Sequence, residues 1–223
     1  MLTRVLDLFL LALLSFLIIF ILLIVIPLKL FFDGFPIFYI SFRVGKNKRL
    51  IKVYKFRTMI NNQDFIRKEV SKYTFKGYES IPLDSTIYTN MGRFFEKFQI
   101  VEFPQLINIL KGEMSFVGYR PLPSDYVKKQ EKDFVEQIFT TKYSRIPGLT
   151  GFTQLIGKEN LESEKRLEIE SLETDFYQNS PNLKILICYF LMIYGTITLV
   201  VTGKTSNTVL KYIHKIIKLQ KVK

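Results

Sequence analysis

The chain has 223 residues, and its 32 lysines and arginines against 20 aspartates and glutamates give a formal net charge of +12. This length suits one core-bearing domain with added membrane elements, and the charge favours anionic partners such as lipid headgroups or phosphate-bearing substrates. Cys188 is the single cysteine and His214 the single histidine. The sequence therefore excludes an intrachain disulfide and a cysteine-based metal cluster. Because the one histidine lies near the basic C-terminus, no histidine-dependent catalytic triad or histidine-based zinc site is expected.

An apolar run at residues 8–28 opens the chain, preceded by Arg4. The run is about as long as a helix that crosses a bilayer, and no small-residue cleavage site follows it, which predicts retention in the membrane. Pro27 is the only proline in the run and can kink the helix, because proline removes a backbone donor. Basic residues are more numerous after the run than before it, which permits a spanning helix with an external N-terminus.

Two strands are predicted next, at residues 37–40 and 50–54, around a basic turn at 45–48. Lys55 and Arg57 follow the second strand and allow two interpretations. They could form a solvated strand face, as alternating charges often do, or they could hold a phosphate. Residues 61–89 are polar and predict a loop that carries a short helix.

The stretch EFPQLINILKGEMSFVGYRPLP at residues 102–123 has the most specific local signals. Apolar residues at 106, 107, 109 and 110 predict a short helix that is buried on one face, and Gly112 suits the left-handed stop after it. Residues 115–117 predict a strand. Arg120 follows between Tyr119 and Pro121, a stiff corner that would hold a guanidinium toward an anion.

The last third of the chain predicts helices and one rigid loop. Residues 124–141 indicate a charged helix, 147–154 a loop stiffened by proline and glycine, and 159–173 an acid-rich, solvated helix. The apolar run 185–201 is short for a straight span. The tail 204–223 has six lysines and no acid, which favours an amphipathic helix on anionic lipid. The alternative is a helix packed on the domain with its lysines in water.

Residues 95–121 closely resemble the signature of the bacterial sugar transferases, the monotopic phosphoglycosyl transferases that begin polyprenol-linked glycan assembly. The family pattern is roughly L-R-K-T-S-L-D-E-L-P-Q-L-x-N-V-L-K-G-x-M-S-x-V-G-P-R-P, and the chain follows it without a gap. The resemblance continues in a D-G-x-P-x-F…R-x-G…Y-K-F-R-T-M run at 33–59, in G-R-F at 92–94, and in an R-P-G-I-T-G-W-A-Q loop at 146–154.

The resemblance implies an α/β (α+β) fold: a single small membrane-associated domain with an N-terminal re-entrant or membrane-spanning helix and amphipathic interfacial helices. Residues 1–32 would form the membrane helix, 33–181 a cytoplasmic sugar-transferase-like domain, and 182–223 membrane-associated C-terminal helices with a basic tail. The family's first helix is re-entrant, which favours that form here. The implied location is the bacterial cytoplasmic (inner) membrane, with the domain facing the cytoplasm.

In an intact relative, an aspartate attacks the β-phosphate of a UDP-sugar with Mg²⁺ present, UMP leaves, and polyprenol phosphate takes the phosphosugar. By resemblance, the candidate substrate- and phosphate-binding residues are Lys55, Arg57, Thr58, Arg120, Arg145 and Gln154. Glu102 is the remaining member of the family's Asp-Glu pair, and so the candidate catalytic residue and a weak candidate metal ligand. Mg²⁺ is expected only if the chain is active, and otherwise no cofactor is expected.

The sequence departs from the family pattern close to the chemistry. The nucleophilic aspartate falls on Val101, whose side chain cannot attack phosphorus. Glu96 stands where an arginine is expected, and Ile146 replaces another arginine, with Arg145 beside it. These changes weaken the attraction for a diphosphate where the charge of the substrate is highest.

Three hypotheses follow from these departures. The chain could keep the fold without the reaction and act as a partner or subunit of an active transferase. It could be a transferase that uses Glu102 as a displaced nucleophile, or a membrane-anchored adaptor that binds no substrate. The expected partners are inner-membrane lipid and polyprenol phosphate, a UDP-sugar if the nucleotide site survives, and a homo- or hetero-oligomer with an active sugar transferase. Nucleic acid is not expected.

Overall fold

The computed structural model describes residues 2–72, 74–75, 78–79, 81–133, 136–157 and 161–221. Within them the chain is a mixed helix and strand domain. The helices are α1 Leu2–Asp33, α2 Gln63–Lys72, α3 Asn90–Lys97, α4 Leu106–Lys111, α5 Ser124–Asp133, α6 Glu136–Tyr143, α7 Phe152–Ile156, α8 Ser163–Asn179, α9 Asn182–Thr202 and α10 Asn207–Lys221. The strands are β1 Phe38–Val44, β2 Leu50–Phe56, β3 Thr74–Phe75, β4 Tyr78–Glu79, β5 Ser115–Val117 and β6 Gly148–Thr150.

The apolar N-terminal run forms α1, a helix of 32 residues that continues through Pro27. At 1.5 Å per residue it is about 48 Å long, longer than the hydrocarbon core of a bilayer. Residues 12–17 in its middle are all exposed, including Phe16 at 84%. In the described part of the chain, α1 and α9 are the two helices long and apolar enough to cross a membrane.

The start of α1 is bound to the domain by two charged side chains. Arg4 donates hydrogen bonds to the carbonyls of Ile109 and Leu110 at the end of α4. The buried Asp7 carboxylate accepts from the backbone N–H of Phe116 at 3.0 Å and from the Tyr189 hydroxyl at 2.6 Å. These contacts join α1 to α4, β5 and α9.

The end of α1 is bound to the same domain. Lys29 and Asp33 form a buried ion pair, and the Thr89 hydroxyl donates to the Asp33 carboxylate at 2.6 Å. Apolar residues on the last turns of α1 pack against a cluster formed by Phe56, Phe95 and Val101. Both ends of α1 therefore contact one domain, while its middle is left without protein contacts on most sides.

The predicted hairpin is confirmed as β1 and β2, which pair antiparallel with Tyr39 opposite Lys55 and Arg43 opposite Ile51. Directly opposed residues share a face, and side chains alternate along each strand, so Arg43 and Lys55 lie on the same face. The predicted loop helix in residues 61–89 is confirmed as α2.

The predictions of a short helix before Gly112 and a strand after it are also confirmed. The residues at 106–110 form α4, which ends at Gly112 with a φ of 78°, a left-handed conformation that glycine adopts without steric cost. Residues 115–117 form β5, which pairs in parallel with β6. The buried Asn108 on α4 accepts from the backbone N–H of Tyr54 at 3.2 Å and donates to the Lys52 carbonyl at 2.6 Å, fixing α4 to β2.

The prediction of a solvated helix at 159–173 is wrong for the residues that the structure describes; 159–160 lie outside them. Glu170 and Glu173 on α8 are fully buried. Glu170 pairs with Lys142 of α6 at 2.7 Å and with Arg166 at 3.1 Å. Glu170 is buried because cations from the same helix and from α6 neutralise it, a long-range arrangement that acid-rich sequence alone does not reveal.

The C-terminal helix corrects the expectation of an interfacial helix. Val209, Ile213 and Ile216 of α10 are buried in the main core, together with residues of α7, α8 and α9. This apolar face packs on protein, apart from the edge of Ile216 that lines a cavity, whereas Lys211 and Lys218 remain exposed. The alternative of a helix packed on the domain with lysines in water therefore describes α10.

Candidate functional site

A small pocket lies where β2, the turn of 3₁₀ helix at Ile100–Gln105 and the corner after β5 meet. It is lined by Arg43, Val53, Lys55, Glu102, Gln105, Arg120, Pro121 and Gly148. Each functional side chain is placed by a local feature of the sequence. The hairpin register directs Arg43 and Lys55 inward, and the Tyr119–Pro121 corner brings in Arg120.

The Glu102 carboxylate is the anion of this pocket. One of its oxygens, Oε1, lies 3.4 Å from Lys55 Nζ and 3.3 Å from both terminal nitrogens of Arg120. The three side chains are between 17 and 29% exposed, so water screens their interactions only in part. Arg43 donates to the Ser41 hydroxyl at 2.7 Å and lines the same pocket. Two cations therefore contact one carboxylate, and a third lines the same pocket.

The pKa values follow from this arrangement. Burial by itself would raise the pKa of Glu102, but Arg120 and Lys55 outweigh burial and hold that pKa at about 2. Burial lowers the pKa of Lys55, and although Glu102 opposes that change, Arg120 and Arg43 lower it further. Glu102 is therefore ionised at neutral pH, and the cluster retains an excess of positive charge that suits a second anion.

Val101 is directed away from the pocket. Its side chain is 5% exposed and packs in the apolar cluster with Phe56 and Phe95, beneath the last turns of α1. Successive residues of a 3₁₀ helix point about 120° apart, so Glu102 faces the pocket while Val101 faces the core. The position at which the sequence resemblance expects a nucleophile is therefore occupied by a core side chain.

Arg57 and Thr58 do not line the pocket. The Arg57 guanidinium is 7% exposed and donates to the backbone carbonyls of residues 33, 34, 36 and 59 at 2.6–3.0 Å. The Thr58 hydroxyl donates to the Glu96 carboxylate at 2.9 Å. Arg57 thus joins the end of α1 to β2, a role that the sequence alone does not separate from phosphate binding.

Arg145 and Gln154 lie on the other side of Gly118 and also do not line the pocket. The Arg145 guanidinium is buried and stacks on the Tyr177 ring at 4.2 Å. Gln154 is within 3.4 Å of the Gly118 carbonyl. Of the residues predicted from sequence, the structure brings Lys55, Glu102 and Arg120 together. It adds Arg43 and Gln105, and the hairpin register was the signal that could have identified Arg43.

Among the residues that line the pocket, Glu102 is the one carboxylate that could contribute to holding Mg²⁺. Among the described residues, no three histidine, cysteine, aspartate or glutamate side chains come together as a ligand set. Glu102 offers a single carboxylate, and that carboxylate is already bound to Lys55 and Arg120. A divalent ion beside it would face two positive charges, which opposes binding.

The fold and the pocket define a class: a small membrane-associated α/β protein with a cation-lined pocket and an apolar N-terminal helix. Residues 1–202 match the family model described as bacterial sugar transferase. The chain belongs to the bacterial sugar transferase family.

Three relatives illustrate the match. The uncharacterized sugar transferase EpsL of Bacillus subtilis is 34% identical over 157 residues, which are 69% of this chain and 67% of that protein. The exopolysaccharide production protein ExoY of Sinorhizobium fredii is 34% identical over 173 residues, 75% of this chain and 73% of the relative. The undecaprenyl-phosphate galactose phosphotransferase of Salmonella typhimurium is 34% identical over 145 residues, 62% of this chain but only 29% of that longer protein.

Proposed function

We propose that this chain is a membrane-bound sugar transferase relative in polyprenol-linked glycan or exopolysaccharide assembly that does not transfer a phosphosugar alone. It acts as a non-catalytic partner of an active transferase. The names of relatives support the pathway: one is the Salmonella undecaprenyl-phosphate galactose phosphotransferase, and another, in Aeromonas hydrophila, is a UDP-N-acetylgalactosamine-undecaprenyl-phosphate N-acetylgalactosaminephosphotransferase. Polyprenol phosphate and a UDP-sugar are therefore the proposed ligands of this chain.

The observation that carries the proposal is the position of Val101. Phosphosugar transfer of the family's kind needs a carboxylate that faces the substrate phosphate. Val101 has no such group, and its side chain is enclosed by Phe56 and Phe95. Glu102, the next residue, does face the pocket, but its charge is neutralised by Arg120 and Lys55. Its carboxylate is bound to both cations and is therefore not free to attack phosphorus.

The pocket keeps the features needed to bind a phosphate without reacting with it. Lys55, Arg120 and Arg43 supply more positive charge than Glu102 neutralises. Arginine and lysine are the side chains that bind phosphate oxygens most strongly. Binding without turnover is what a regulatory or substrate-presenting partner requires.

The position of α1 supports a re-entrant arrangement in the inner membrane, with the domain in the cytoplasm. Arg4 and Asp7 at its start, and Lys29 and Asp33 at its end, bind the same domain. A spanning helix with an external N-terminus would separate the first two side chains from α4 and β5. Its exposed apolar middle would lie in the bilayer while both ends stay at the cytoplasmic face, and a return to the same side requires a bend in α1.

A second candidate function is an active transferase that uses Glu102. The observation in its favour is that this carboxylate lies in the cation-lined pocket, where a substrate phosphate would bind. It requires Arg120 and Lys55 to move from Glu102 to the substrate during the reaction. The two candidates differ in whether the purified chain turns over alone.

The test is transfer from a radiolabelled UDP-sugar to polyprenol phosphate by the purified chain, by a catalytically complete relative from the same cell, and by both together. We expect no transfer by the chain alone and a changed rate or yield when it is added to the relative. A variant with Lys55 and Arg120 both replaced by alanine serves as the control for the pocket. Transfer by the chain alone, or no effect of the chain on the relative, would refute the proposal.

A further inference from the structure

A second cavity lies away from the pocket around Glu102, between the end of α8, the start of α9 and α10. Its volume is about 390 Å³, within the range of small-molecule sites in proteins. It is lined by Phe176, Ser180, Lys184, Tyr212, Lys215, Ile216 and Leu219. None of these side chains lines the Glu102 pocket, so this cavity has no part in the function proposed above.

The rim of the cavity is cationic. Lys184 and Lys215 are both exposed, and within the described part of the chain no acidic side chain forms an ion pair with either of them. The helix that carries Lys215 has no acid anywhere along its length. Two uncompensated ammonium groups at the mouth of one cavity favour an anionic group there.

The floor of the cavity is apolar. Phe176 and Ile216 are each about 5% exposed and close its base, and Leu219, 57% exposed, forms an open wall. An inorganic anion would gain no binding free energy from contact with this apolar floor. A ligand with a hydrocarbon chain would gain from it, because removing methylene groups from water is favourable. The lining therefore selects an amphipathic anion rather than a free phosphate.

The position of the cavity indicates where such a ligand comes from. Lys184 follows Leu183, the first member of an exposed apolar stripe on α9. The stripe recurs every three or four residues and consists of Leu183, Ile187, Phe190, Tyr194, Ile197 and Val201. The same helix contacts the membrane helix α1 through the hydrogen bond between Tyr189 and Asp7. The cavity thus lies beside one end of an exposed apolar face that suits the acyl region of a bilayer.

From these observations we propose that the cavity binds one anionic phospholipid of the surrounding membrane. The phosphate of the headgroup lies between Lys184 and Lys215, and an acyl chain lies over Phe176 and Ile216. The lipid fills the gap between three helices and attaches the C-terminal helices to the membrane. This attachment differs from the expected interfacial helix, because the apolar face of α10 stays in the protein core.

The test is native mass spectrometry of the full-length protein in a nonionic detergent. It is titrated with palmitoyl-oleoyl phosphatidylglycerol, with the phosphatidylcholine of the same chains, and with glycerol 3-phosphate. We expect one phosphatidylglycerol to bind at least tenfold more tightly than phosphatidylcholine. Glycerol 3-phosphate, which has the anion without the chains, should not saturate the site over the same concentrations.

The variant K184Q/K215Q should weaken phosphatidylglycerol binding roughly thirtyfold, or about fivefold for each lysine near an anionic group. The matched control K211Q/K218Q removes the same charge from α10 positions one turn on either side of Lys215 that do not line the cavity, and it should change binding by less than threefold. L219S should weaken the binding of both phospholipids to the same extent. If the double variant fails to fold, the single variants K184Q and K215Q, each with about a fivefold loss, give the same answer.

Three results would overturn the proposal. Equal affinities for the two phospholipids would show that the lysines do not distinguish an anionic headgroup from a zwitterionic one. An equal loss in the control variant would show nonspecific attraction to a basic helix. Binding of glycerol 3-phosphate as tight as that of phosphatidylglycerol would make the cavity a site for a soluble phosphate instead of a lipid.

Discussion

Both terminal nitrogens of Arg120 lie 3.3 Å from the same carboxylate oxygen of Glu102. The guanidinium that the Tyr119–Pro121 corner holds toward the pocket is therefore already bound to an anion of the chain itself. Any phosphate that enters must share or replace this contact, because Lys55 is bound to the same oxygen. Glu102 acts as an internal competitor of the ligand, and its pKa of about 2 keeps it charged at every physiological pH.

Replacing Arg120 with alanine should weaken binding of UDP or of a short polyprenol phosphate by about one to two decades. A charge-assisted hydrogen bond of this kind contributes roughly 1.5–3 kcal/mol. Isothermal titration calorimetry on the detergent-solubilised protein measures the effect. Arg49→Ala on the exposed hairpin turn is the control and should leave the Kd unchanged. An unchanged Kd in the Arg120 variant would mean that this side chain only supports its corner.

Replacing Arg57 with alanine should affect stability rather than ligand binding. The variant leaves four backbone carbonyls near the end of α1 without their donor, in a site that is almost fully buried. A loss of about 3–5 kcal/mol in the free energy of unfolding is expected, typical of a broken buried network.

Thermal unfolding in detergent, together with UDP titration below the melting temperature, separates the two roles of Arg57. Lys55→Ala is the matched comparison, because it removes a cation only two residues away, on β2, and should weaken UDP binding with a smaller loss of stability. If Arg57→Ala instead weakened UDP binding as much as Lys55→Ala and melted normally, the guanidinium would have to be a phosphate ligand.

The contrast between Arg57 and Lys55 shows how far the sequence could predict this structure. The hairpin, α4, the stop at Gly112 and β5 were predictable because each depends on residues within a few positions of one another. Whether a charged side chain on a strand meets solvent, a ligand or backbone depends on segments tens of residues away. Arg57 meets the end of α1, more than twenty residues earlier, and no local pattern encodes that contact.

The same limit explains the errors in the C-terminal part. An acid-rich helix predicts solvent exposure on average, but Glu170 is buried because Lys142 and Arg166 approach it from two sides. The prediction that α10 is amphipathic was correct, whereas the prediction that lipid covers its apolar face was wrong. An apolar stripe along a helix gives the direction of burial and does not distinguish lipid from protein.

Replacing Glu173 with glutamine should stabilise the protein at neutral pH. Burial raises the pKa of Glu173 to about 8, although Arg145 opposes this. Because the folded pKa is raised, its stabilising contribution is complete below the unfolded pKa of about 4.5 and is lost as the pH rises through 8. At pH 7 the wild-type chain should be less stable by about 3 kcal/mol than near pH 4.5 on account of this group.

Thermal unfolding between pH 4.5 and 8 tests this dependence. Glu173→Gln should flatten the decline, while Glu164→Gln, at an exposed position on the same helix, should keep it. The contribution of Glu102 to stability changes with pH in the opposite direction. Because its folded-state pKa is depressed, that contribution is lost only as the pH falls from about 4.5 toward 2, outside this range. A decline that persists in Glu173→Gln would mean that Arg145 keeps the carboxylate ionised in the folded protein.

The two ends of α1 should lie on the same side of the membrane. Cysteines introduced at Thr3 and Asn47 should both be protected from a membrane-impermeant maleimide in intact cells, and both should react after permeabilisation. Separating the ends would break the hydrogen bonds of Arg4 and Asp7 to the domain, a cost on the order of several kcal/mol. The unmodified chain is the control, because its native Cys188 is buried. Labelling of position 3 alone in intact cells would establish a spanning helix.

The purified chain should show no detectable phosphosugar transfer and no covalent adduct on Glu102. Loss of the covalent nucleophile of such an enzyme costs several decades of rate, and a displacement of about an ångström can cost on the order of a hundredfold. Glu102 is also bound to Arg120 and Lys55, so the cations that should stabilise a transferring phosphoryl group are engaged elsewhere. Radiolabel transfer and intact-protein mass spectrometry after incubation with a UDP-sugar measure both outcomes.

Restoring the aspartate with Val101→Asp should recover little activity by itself. The new carboxylate would enter the apolar cluster of Phe56 and Phe95, where burial raises its pKa and leaves it protonated and poorly nucleophilic. The variant should also lower the melting temperature, because it places a polar group in a packed core. Val101→Asn is the control for this loss of packing, because asparagine has the size of aspartate without its charge. Robust transfer by the unmodified chain, abolished by Glu102→Gln, would instead make Glu102 the nucleophile and this protein an active transferase.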